Sequence, residues 1–234
     1  MKSLQAENRF IMGNKVGIVQ SAYIPWKGYF DIIKKCDKFV FFETVQFSKR
    51  SWVTRNRIKS PLGTKWLSVP TSGSTTQNIN QVAISDSGWI KSHLSSIKQS
   101  YSGTDFYPIV EDFMLSGSSR CENSISKFNI HFIAETCRYL GIDTELIDSS
   151  KIPQSGVKSD LLVSICKHLG ATCYISGPAA KAYIGNEFDN AGIELEWMDY
   201  SKYPKYDQLH GEFEHQVSIV DLLCMKGKDS VEFF

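Results

Sequence analysis

Apolar and polar residues follow two rhythms along the chain, one typical of buried strands and one typical of amphipathic helices. Residues 15–20 form a short apolar run that predicts a strand, and residues 27–36 then place apolar side chains at helical spacing. Residues 38–42 are rich in aromatic and β-branched side chains and indicate a second buried strand. The opening of the chain therefore predicts a βαβ unit with parallel strands.

The same alternation returns in the second half of the chain. The pattern predicts helices over 89–101, 123–140, 159–168 and 179–190, with Ser159 as a helix cap, and strands over 81–85, 142–147, 172–175 and 193–197. Gly141 and Gly170 end two of these helices. We expect an α/β fold with a mostly parallel, Rossmann-like sheet and helices on both faces. We expect one domain over residues 1–234, with residues 1–14 as a flexible N-terminal extension.

Residues 43–70 interrupt this alternation with a stretch dense in polar, basic and aromatic side chains. A turn signal at 60–63 precedes a strand-like run at 66–69. The stretch predicts a β-hairpin or loop excursion after the second strand. Ligands bind parallel sheets at the carboxyl ends of strands, so we expect the site at the loops 20–26, 43–56, 148–150 and 176–181.

Charge and composition narrow the possible functions. The 26 basic and 25 acidic residues nearly cancel, which argues against nucleic acid as a partner. No run approaches the roughly 18 apolar residues of a membrane span, and the first dozen residues lack the apolar core of a signal peptide. We therefore expect a cytoplasmic protein without membrane insertion. The six cysteines form no CxxC pair and the five histidines no HExxH pair, so no metal site is predicted.

The loop after the first strand is the first candidate site. Gln20, Tyr23 and Trp26 surround a rigid Ile24-Pro25 step, and Gly28 permits a close approach to the backbone near a helix N-terminus. The alternative is that these aromatic residues simply belong to the core under a tight turn.

The second candidate site is a window of basic, aromatic and amide side chains in the predicted excursion. Arginine binds phosphate or carboxylate bidentately, and tryptophan offers a stacking face for a base or sugar, so the window suits a nucleotide-linked or phosphorylated small molecule. The alternatives are a solvated basic hairpin or a nucleic-acid patch. The window contains Glu43, Gln46, Lys49, Arg50, Trp52, Arg55, Asn56, Arg57, Lys59 and Trp66.

Side-chain alternation along a strand would separate Arg55 and Arg57 from Asn56. If the segment is extended, Arg55 and Arg57 point to one side and Asn56 to the other. We expect the two arginines to face the ligand, because bidentate charge-assisted hydrogen bonds to phosphate offset the cost of desolvating the guanidinium group. Asn56 can instead bond neighbouring backbone groups.

The third candidate site is the loop after the strand at 172–175. Ser176 and Gly177 end that strand, and Lys181 follows in the next helix, where backbone N–H groups and a cation can face a ligand. A plain βα turn explains the same residues. Near the C-terminus, Ser218 caps a final helix and Asp221 has a structural role.

Covalent catalysis is disfavoured, since no nucleophile elbow or Ser-His-Asp arrangement is present. The mechanism favoured by the available residues is positioning of the substrate together with general-base catalysis by Glu43 or Asp31. Gln46 is the third catalytic candidate.

Several separated motifs resemble the WbqC-like protein family, in the right order and over almost the whole chain. They are GIVQSAYIPWKGYFDII, CDKFVFFETVQFSKRSWVTRNRIKS, KWLSVP, YISGPAAKAYI and SIVDLLCMKG. The resemblance implies a sugar-modifying step in bacterial O-antigen or other surface-polysaccharide synthesis, with glycyl or aminoacyl transfer onto an amino sugar as the activity suggested for the family.

Two positions depart from the family pattern. Gln20-Ser21 stands where the family usually has Gln-Pro, and Glu43-Thr44 replaces an acidic pair, so a carboxylate pair or metal clamp is not expected there. The leading hypothesis is a transferase that acylates a nucleotide-linked amino sugar, with ATP or an activated amino acid as donor. The alternative is a non-catalytic module that binds a sugar nucleotide or a partner protein. The sequence does not indicate the oligomeric state.

Overall fold

A five-stranded sheet with every neighbouring pair parallel forms the centre of the protein. The computed structural model describes residues 14–234. The strands lie in the order β5-β2-β1-β6-β7, and β3 and β4 form a separate antiparallel hairpin. The strands are β1 (Lys15–Val19), β2 (Lys38–Phe41), β3 (Arg55–Ser60), β4 (Gly63–Ser68), β5 (Glu145–Asp148), β6 (Cys173–Ser176) and β7 (Glu194–Trp197).

Seven α-helices and four short 3₁₀ segments connect or cover these strands in the described part of the chain. The α-helices are α1 (Lys27–Lys35), α2 (Trp89–Tyr101), α3 (Tyr107–Arg120), α4 (Ile125–Leu140), α5 (Ser159–His168), α6 (Glu187–Asn190) and α7 (Ile219–Lys226). The 3₁₀ segments are Ile79–Gln81, Ser149–Lys151, Pro178–Ala182 and Gly227–Phe233.

Successive strand residues send their side chains to two different cores. In β2, Phe39 and Phe41 join the core formed with α1 to α4 and α7, whereas Val40 joins the core under α5 and α6. In β1, a Cβ on Gly17 would lie 2.8 Å from Cys36 Sγ, so glycine lets the end of α1 pack closely on this strand. The sheet is therefore covered on both faces, as the sequence predicts.

The strand order reverses direction beside β1. The chain runs from β1 to β2 and β5 on one side and then places β6 on the other side of β1. The register pairs Val19 with Phe41 and Gly17 with Ile175, so the loops after β1, β2 and β6 leave the same edge of the sheet. This is the position at which doubly wound sheets bind ligands.

The excursion after β2 is the predicted hairpin. Arg55 pairs with Ser68 and Ser60 with Gly63, and Gly63 takes a positive φ of 103° in the turn. The left-handed backbone explains why glycine stands there.

Three local predictions are wrong. Residues 81–85 form only isolated bridges, from Ala83 to Ser124 and from Thr71 to Ile84, instead of a strand. Residues 179–190 form a 3₁₀ segment and the short α6, because Gly185 breaks the helix and its N–H bonds Glu187 Oε2.

The predicted cap of α5 is also different. Lys158 occupies the cap position, and the Ser159 hydroxyl donates to the Tyr183 carbonyl oxygen. Helix α3 was not predicted, and its polar and apolar residues are poorly segregated along a Ser/Gly-rich sequence.

The N-terminal extension predicted over residues 1–14 lies outside the described residues except for Asn14, whose side chain donates to the Leu169 carbonyl oxygen at 2.7 Å. From residue 14 onward, no helix is both long and apolar enough to cross a lipid bilayer.

Candidate functional site

A cavity of about 430 Å³ opens at the carboxyl end of β1, beside the hairpin. Its wall combines aromatic and aliphatic groups with a few neutral polar ones, a composition typical of small-molecule sites. None of these lining residues carries a charge, so we call it the neutral cavity. It is lined by Val19, Gln20, Ser21, Ala22, Pro25, Trp26, Tyr29, Ser51, Trp52, Val53, Asn56 and Gln216.

The loop after β1 forms much of this wall in a strained conformation. Ile24 has a positive φ of 38°, which is unfavourable for a β-branched residue and costs about 1–3 kcal/mol. Ser218 Oγ donates to the Ile24 carbonyl oxygen at 2.6 Å, and the Ile219 N–H donates to the Pro25 carbonyl oxygen at 2.8 Å. The N-terminus of α7 thus holds the loop in place.

Asn56 clamps the same loop from the hairpin. Its Nδ2 donates to the carbonyl oxygens of Tyr23 and Ile24 at 3.2 and 2.9 Å, and its Oδ1 accepts from the Arg57 N–H at 2.8 Å. Asn56 is buried and also lines the neutral cavity. The expectation that it bonds neighbouring backbone groups is confirmed.

Glu43 lies in a buried polar network beneath the cavity. Its carboxylate accepts from the Ser21 N–H at 2.8 Å and from Ser21 Oγ at 3.0 Å. Burial raises the pKa of Glu43, and hydrogen bonds from Ser126 and Ser21 oppose the shift. Asn129 Nδ2 donates to Ser21 Oγ at 3.3 Å, while its buried Oδ1 has no partner among the described residues. Glu43 therefore reaches the cavity only through Ser21.

Trp26 forms the aromatic side of the cavity nearest α1. A Cβ on Gly28 would lie 2.3 Å from Trp26 Cζ2, so glycine allows the indole to lie over the first turn of the helix. On its other side, Trp26 meets the Tyr200 ring edge-on at a centroid distance of 4.9 Å. Trp26 is thus fixed between a helix and an aromatic partner.

Two exposed tryptophans stack on the hairpin side. Trp52 and Trp66 are 54% and 45% exposed, and their ring centroids are 5.6 Å apart. The guanidinium carbons of Arg55 and Arg57 lie 4.5 and 5.6 Å from the Trp66 ring centroid. Only Trp52 of these four residues lines the neutral cavity.

The two arginines alternate with Asn56 as predicted, but Asn56 is the residue that lines the neutral cavity. Arg57 Nη2 donates to the Gln216 carbonyl oxygen at 2.8 Å, which places the guanidinium directly behind a lining residue. Lys59 is buried and its Nζ donates to the Glu212 carbonyl oxygen, so it contacts the C-terminal segment.

Arg55 lines a second cavity of about 320 Å³ on the hairpin, which we call the basic cavity. Lys49 and Arg50 line it too, together with Phe47, Thr54, Ser68, Val69, Thr71 and Gly73. The basic window is therefore divided between two cavities.

Three other candidate binding or catalytic residues, Tyr23, Asp31 and Gln46, do not line the neutral cavity. Tyr23 is fully buried, with its hydroxyl 2.6 Å from Nδ1 of His93, whose pKa burial lowers to about 4. Asp31 is buried and accepts from the Tyr203 hydroxyl at 2.6 Å. Gln46 is exposed and donates to the Thr75 carbonyl oxygen. Tyr23 therefore lies in the core, as the alternative interpretation of the first candidate site predicts.

The third candidate site also lies outside the neutral cavity. Ser176 is buried, and Lys181 is exposed with Nζ 5.4 Å from the Trp197 ring centroid. A Cβ on Gly177 would lie 3.4 Å from the Tyr200 hydroxyl, so this loop reaches Trp26 only through Tyr200.

Several residues of the site escaped the sequence analysis, among them Gln216, Asn129 and Ser21. Gln216 and Asn129 are far from the other site residues in sequence, and no local pattern marks either of them. Ser21 was noted only as a departure from the family. Between residues 14 and 234, no three potential metal-ligating His, Cys, Asp or Glu side chains come together.

Comparison with known proteins agrees with the motif pattern. The chain is 36% identical over 223 residues to the uncharacterized protein Rv1507c of Mycobacterium tuberculosis, which covers 94% of this chain and 96% of that protein. No solved structure matched the chain. The sequence model of the WbqC-like protein family matches residues 20–233. The chain therefore belongs to the WbqC-like protein family.

Proposed function

We propose that the protein is a transferase of bacterial surface-polysaccharide synthesis that adds a glycyl or aminoacyl group to the amino group of a nucleotide-linked sugar. The observation that carries this proposal is the neutral cavity, whose lining includes two tryptophans and three residues with amide side chains. The family resemblance supplies the polysaccharide context.

The lining of the neutral cavity suits a carbohydrate. The rings of Trp26 and Trp52 offer faces for the apolar side of a sugar or for a base. Gln20 and Gln216 supply amide groups for hydroxyls. Neutral polar groups bind such a ligand without the desolvation cost of a buried charge.

The arginines beside the cavity suit the diphosphate of a sugar nucleotide. Arg57 bonds the backbone of the lining residue Gln216, and Arg55, which is on the same strand as Arg57, lies over the Trp66 ring of the paired strand. Their forked guanidinium groups can each bind phosphate oxygens bidentately.

Acyl transfer requires the sugar amine to lose a proton as it attacks the acyl carbonyl carbon and the donor's leaving group departs. In the proposed mechanism, Ser21 Oγ takes the amine proton while its own proton passes to Glu43, along the 3.0 Å hydrogen bond between them. The raised pKa of Glu43 makes its carboxylate a better proton acceptor. The donor is an activated amino acid or an amino acid with ATP.

All six cysteines are unpaired and buried, which suits a reducing compartment. We place the reaction in the cytoplasm.

Two matched tryptophan variants test the assignment of the cavity. Trp52→Ala should weaken binding of amino-sugar nucleotides about threefold to tenfold by removing one stacking face, whereas Trp66→Ala, outside the cavity, should change it less. Isothermal titration measures both affinities. Equal effects of the two substitutions contradict the assignment.

Product formation tests the reaction itself. Incubation with an amino-sugar nucleotide and activated glycine should give a product heavier by one glycyl unit in mass spectrometry. A panel of donors and acceptors without any product contradicts the transferase proposal.

A second candidate, a non-catalytic sugar-nucleotide-binding or partner-binding module, is favoured by the environment of Glu43. The carboxylate is fully buried and both oxygens accept hydrogen bonds from Ser21, an arrangement that also serves to hold the loop. Glu43→Gln distinguishes the two candidates: the transferase loses turnover but keeps ligand binding, while the module has no turnover to lose.

A further inference from the structure

We infer that the basic cavity is a phosphoryl-binding site, separate from the neutral cavity. This inference shares Arg55 with the proposed diphosphate contact of a sugar nucleotide, but it concerns a different cavity and does not depend on the acyl transfer itself. Three of its lining side chains are cationic, Lys49, Arg50 and Arg55, and none is acidic. The neutral cavity has no charged lining residue, so the two cavities suit different ligand groups.

No acidic side chain among the described residues neutralises the three cations Lys49, Arg50 and Arg55. None of them takes part in a salt bridge among residues 14–234. By contrast, the charged groups of Arg57 and Lys59 on the same hairpin donate to backbone carbonyl oxygens. In a chain with net charge +1, three unpaired cations around one cavity make a local positive field that attracts anions.

Hydroxyl groups accompany the cations. Thr54, Ser68 and Thr71 also line the basic cavity, and the buried Thr54 hydroxyl has only a long contact of 3.5 Å, to the Ser51 carbonyl oxygen. Guanidinium, ammonium and hydroxyl donors around one space match the several acceptor oxygens of a phosphoryl group.

The walls of the basic cavity are fixed before a ligand binds. The Val69 N–H donates to the Thr54 carbonyl oxygen and the Phe47 N–H to the Gln77 carbonyl oxygen, both at 2.8 Å. A Cβ on Gly73 would lie 2.9 Å from Phe47 Cε1, so glycine allows its loop to close tightly against this wall. A pre-organised wall lowers the entropic cost of binding.

The volume of about 320 Å³ lies at the lower end of the range for small-molecule sites and suits a diphosphate better than a large ligand. Such a group can come from a sugar nucleotide or from ATP. Residues 51–53 and Asn56 line the neutral cavity while Thr54 and Arg55 line the basic one, so one short segment contributes to both.

Calorimetric titration with inorganic pyrophosphate at constant ionic strength tests the site. Lys49→Gln and Arg50→Gln should each weaken pyrophosphate binding about tenfold, as expected for loss of a charge-assisted contact. The matched controls Lys167→Gln and Arg120→Gln remove exposed cations elsewhere and should bind like wild type. Lys49 and Arg50 are exposed, so the fold should persist, and circular dichroism checks this.

Competition identifies the source of the diphosphate. Displacement of pyrophosphate by a sugar nucleotide assigns the cavity to that ligand, and displacement by ATP alone assigns it to the nucleotide. Trp52→Ala should leave pyrophosphate binding unchanged even where it weakens sugar binding, which separates this inference from the proposed function. The inference is overturned if pyrophosphate does not bind, if the cavity variants bind it like the controls, or if citrate displaces it as well as either nucleotide does.

Discussion

The neutral and basic cavities share one segment of chain but differ in how they are built. The neutral cavity rests on a strained loop held by buried side-chain hydrogen bonds from Asn56 and Ser218. The basic cavity presents exposed Lys49 and Arg50 with no salt-bridge partner among the described residues. Substitutions in the first should therefore act on folding as well as binding, and substitutions in the second mainly on binding.

Asn56→Ala should produce the largest loss of stability. It removes the Nδ2 bonds to the Tyr23 and Ile24 carbonyl oxygens and leaves the Tyr23 oxygen buried without this donor. We expect a loss of about 2–4 kcal/mol in the free energy of unfolding, measured by urea denaturation. Asn80→Ala, at an exposed site, is the control and should change little. A loss no larger than that of the control means that the loop does not depend on this clamp.

Glu43→Gln should change how stability depends on pH. Burial raises the pKa of Glu43 above its ordinary value of 4.5, so the folded chain binds this proton more tightly than the unfolded chain. Wild type should therefore lose stability relative to Glu43→Gln as the pH rises from 4.5 through the raised pKa. Urea denaturation across this pH range measures the difference, and the exposed Glu145→Gln should follow wild type. Parallel profiles for all three proteins contradict the shift.

Arg50→Gly should have the smallest effect on stability and the opposite sign. Arg50 adopts a positive φ of 58°, which glycine accepts without strain. We expect a gain of up to about 1 kcal/mol in the free energy of unfolding, because strain relief slightly exceeds the entropy that glycine adds to the unfolded chain. Lys49→Gly, where φ is not positive, should give no gain. A destabilised Arg50→Gly indicates that the arginine side chain supports the fold.

Local patterns were sufficient for the strands and helices that bury a regular face. The β1-α1-β2 unit and the hairpin were predicted because their apolar periodicity and turn residues agree with their tertiary packing. Residues 81–85 have the composition of a strand, but their partners are single bridges to distant loops, which no local signal reveals. The predicted helix over 179–190 ignored the cost of Gly185 in its interior.

For the candidate site, the sequence predicts the window whose residues line both cavities, but it does not predict which residue lines which cavity. Alternation separates Arg55 from Asn56, yet only the packing of the hairpin decides which one meets which cavity. The sequence predicts that the two arginines face the ligand. In the structure Arg55 lines the basic cavity, while Asn56 lines the neutral cavity and its amide holds the loop backbone. Gln216 and Asn129 come from remote segments, so only the folded chain brings them to the site.

The clamp on the loop after β1 has a consequence for synthesis on the ribosome. The loop is among the first parts of the fold to be translated, but Ser218 and Ile219, which bond the carbonyl oxygens of Ile24 and Pro25, are among the last. A nascent chain that ends before Ser218 lacks both bonds and cannot hold Ile24 in its left-handed conformation by them. The wall of the neutral cavity thus gains these two bonds only after Ser218 and Ile219 have been translated, so a chain that stops before Ser218 lacks them even where its sheet can form.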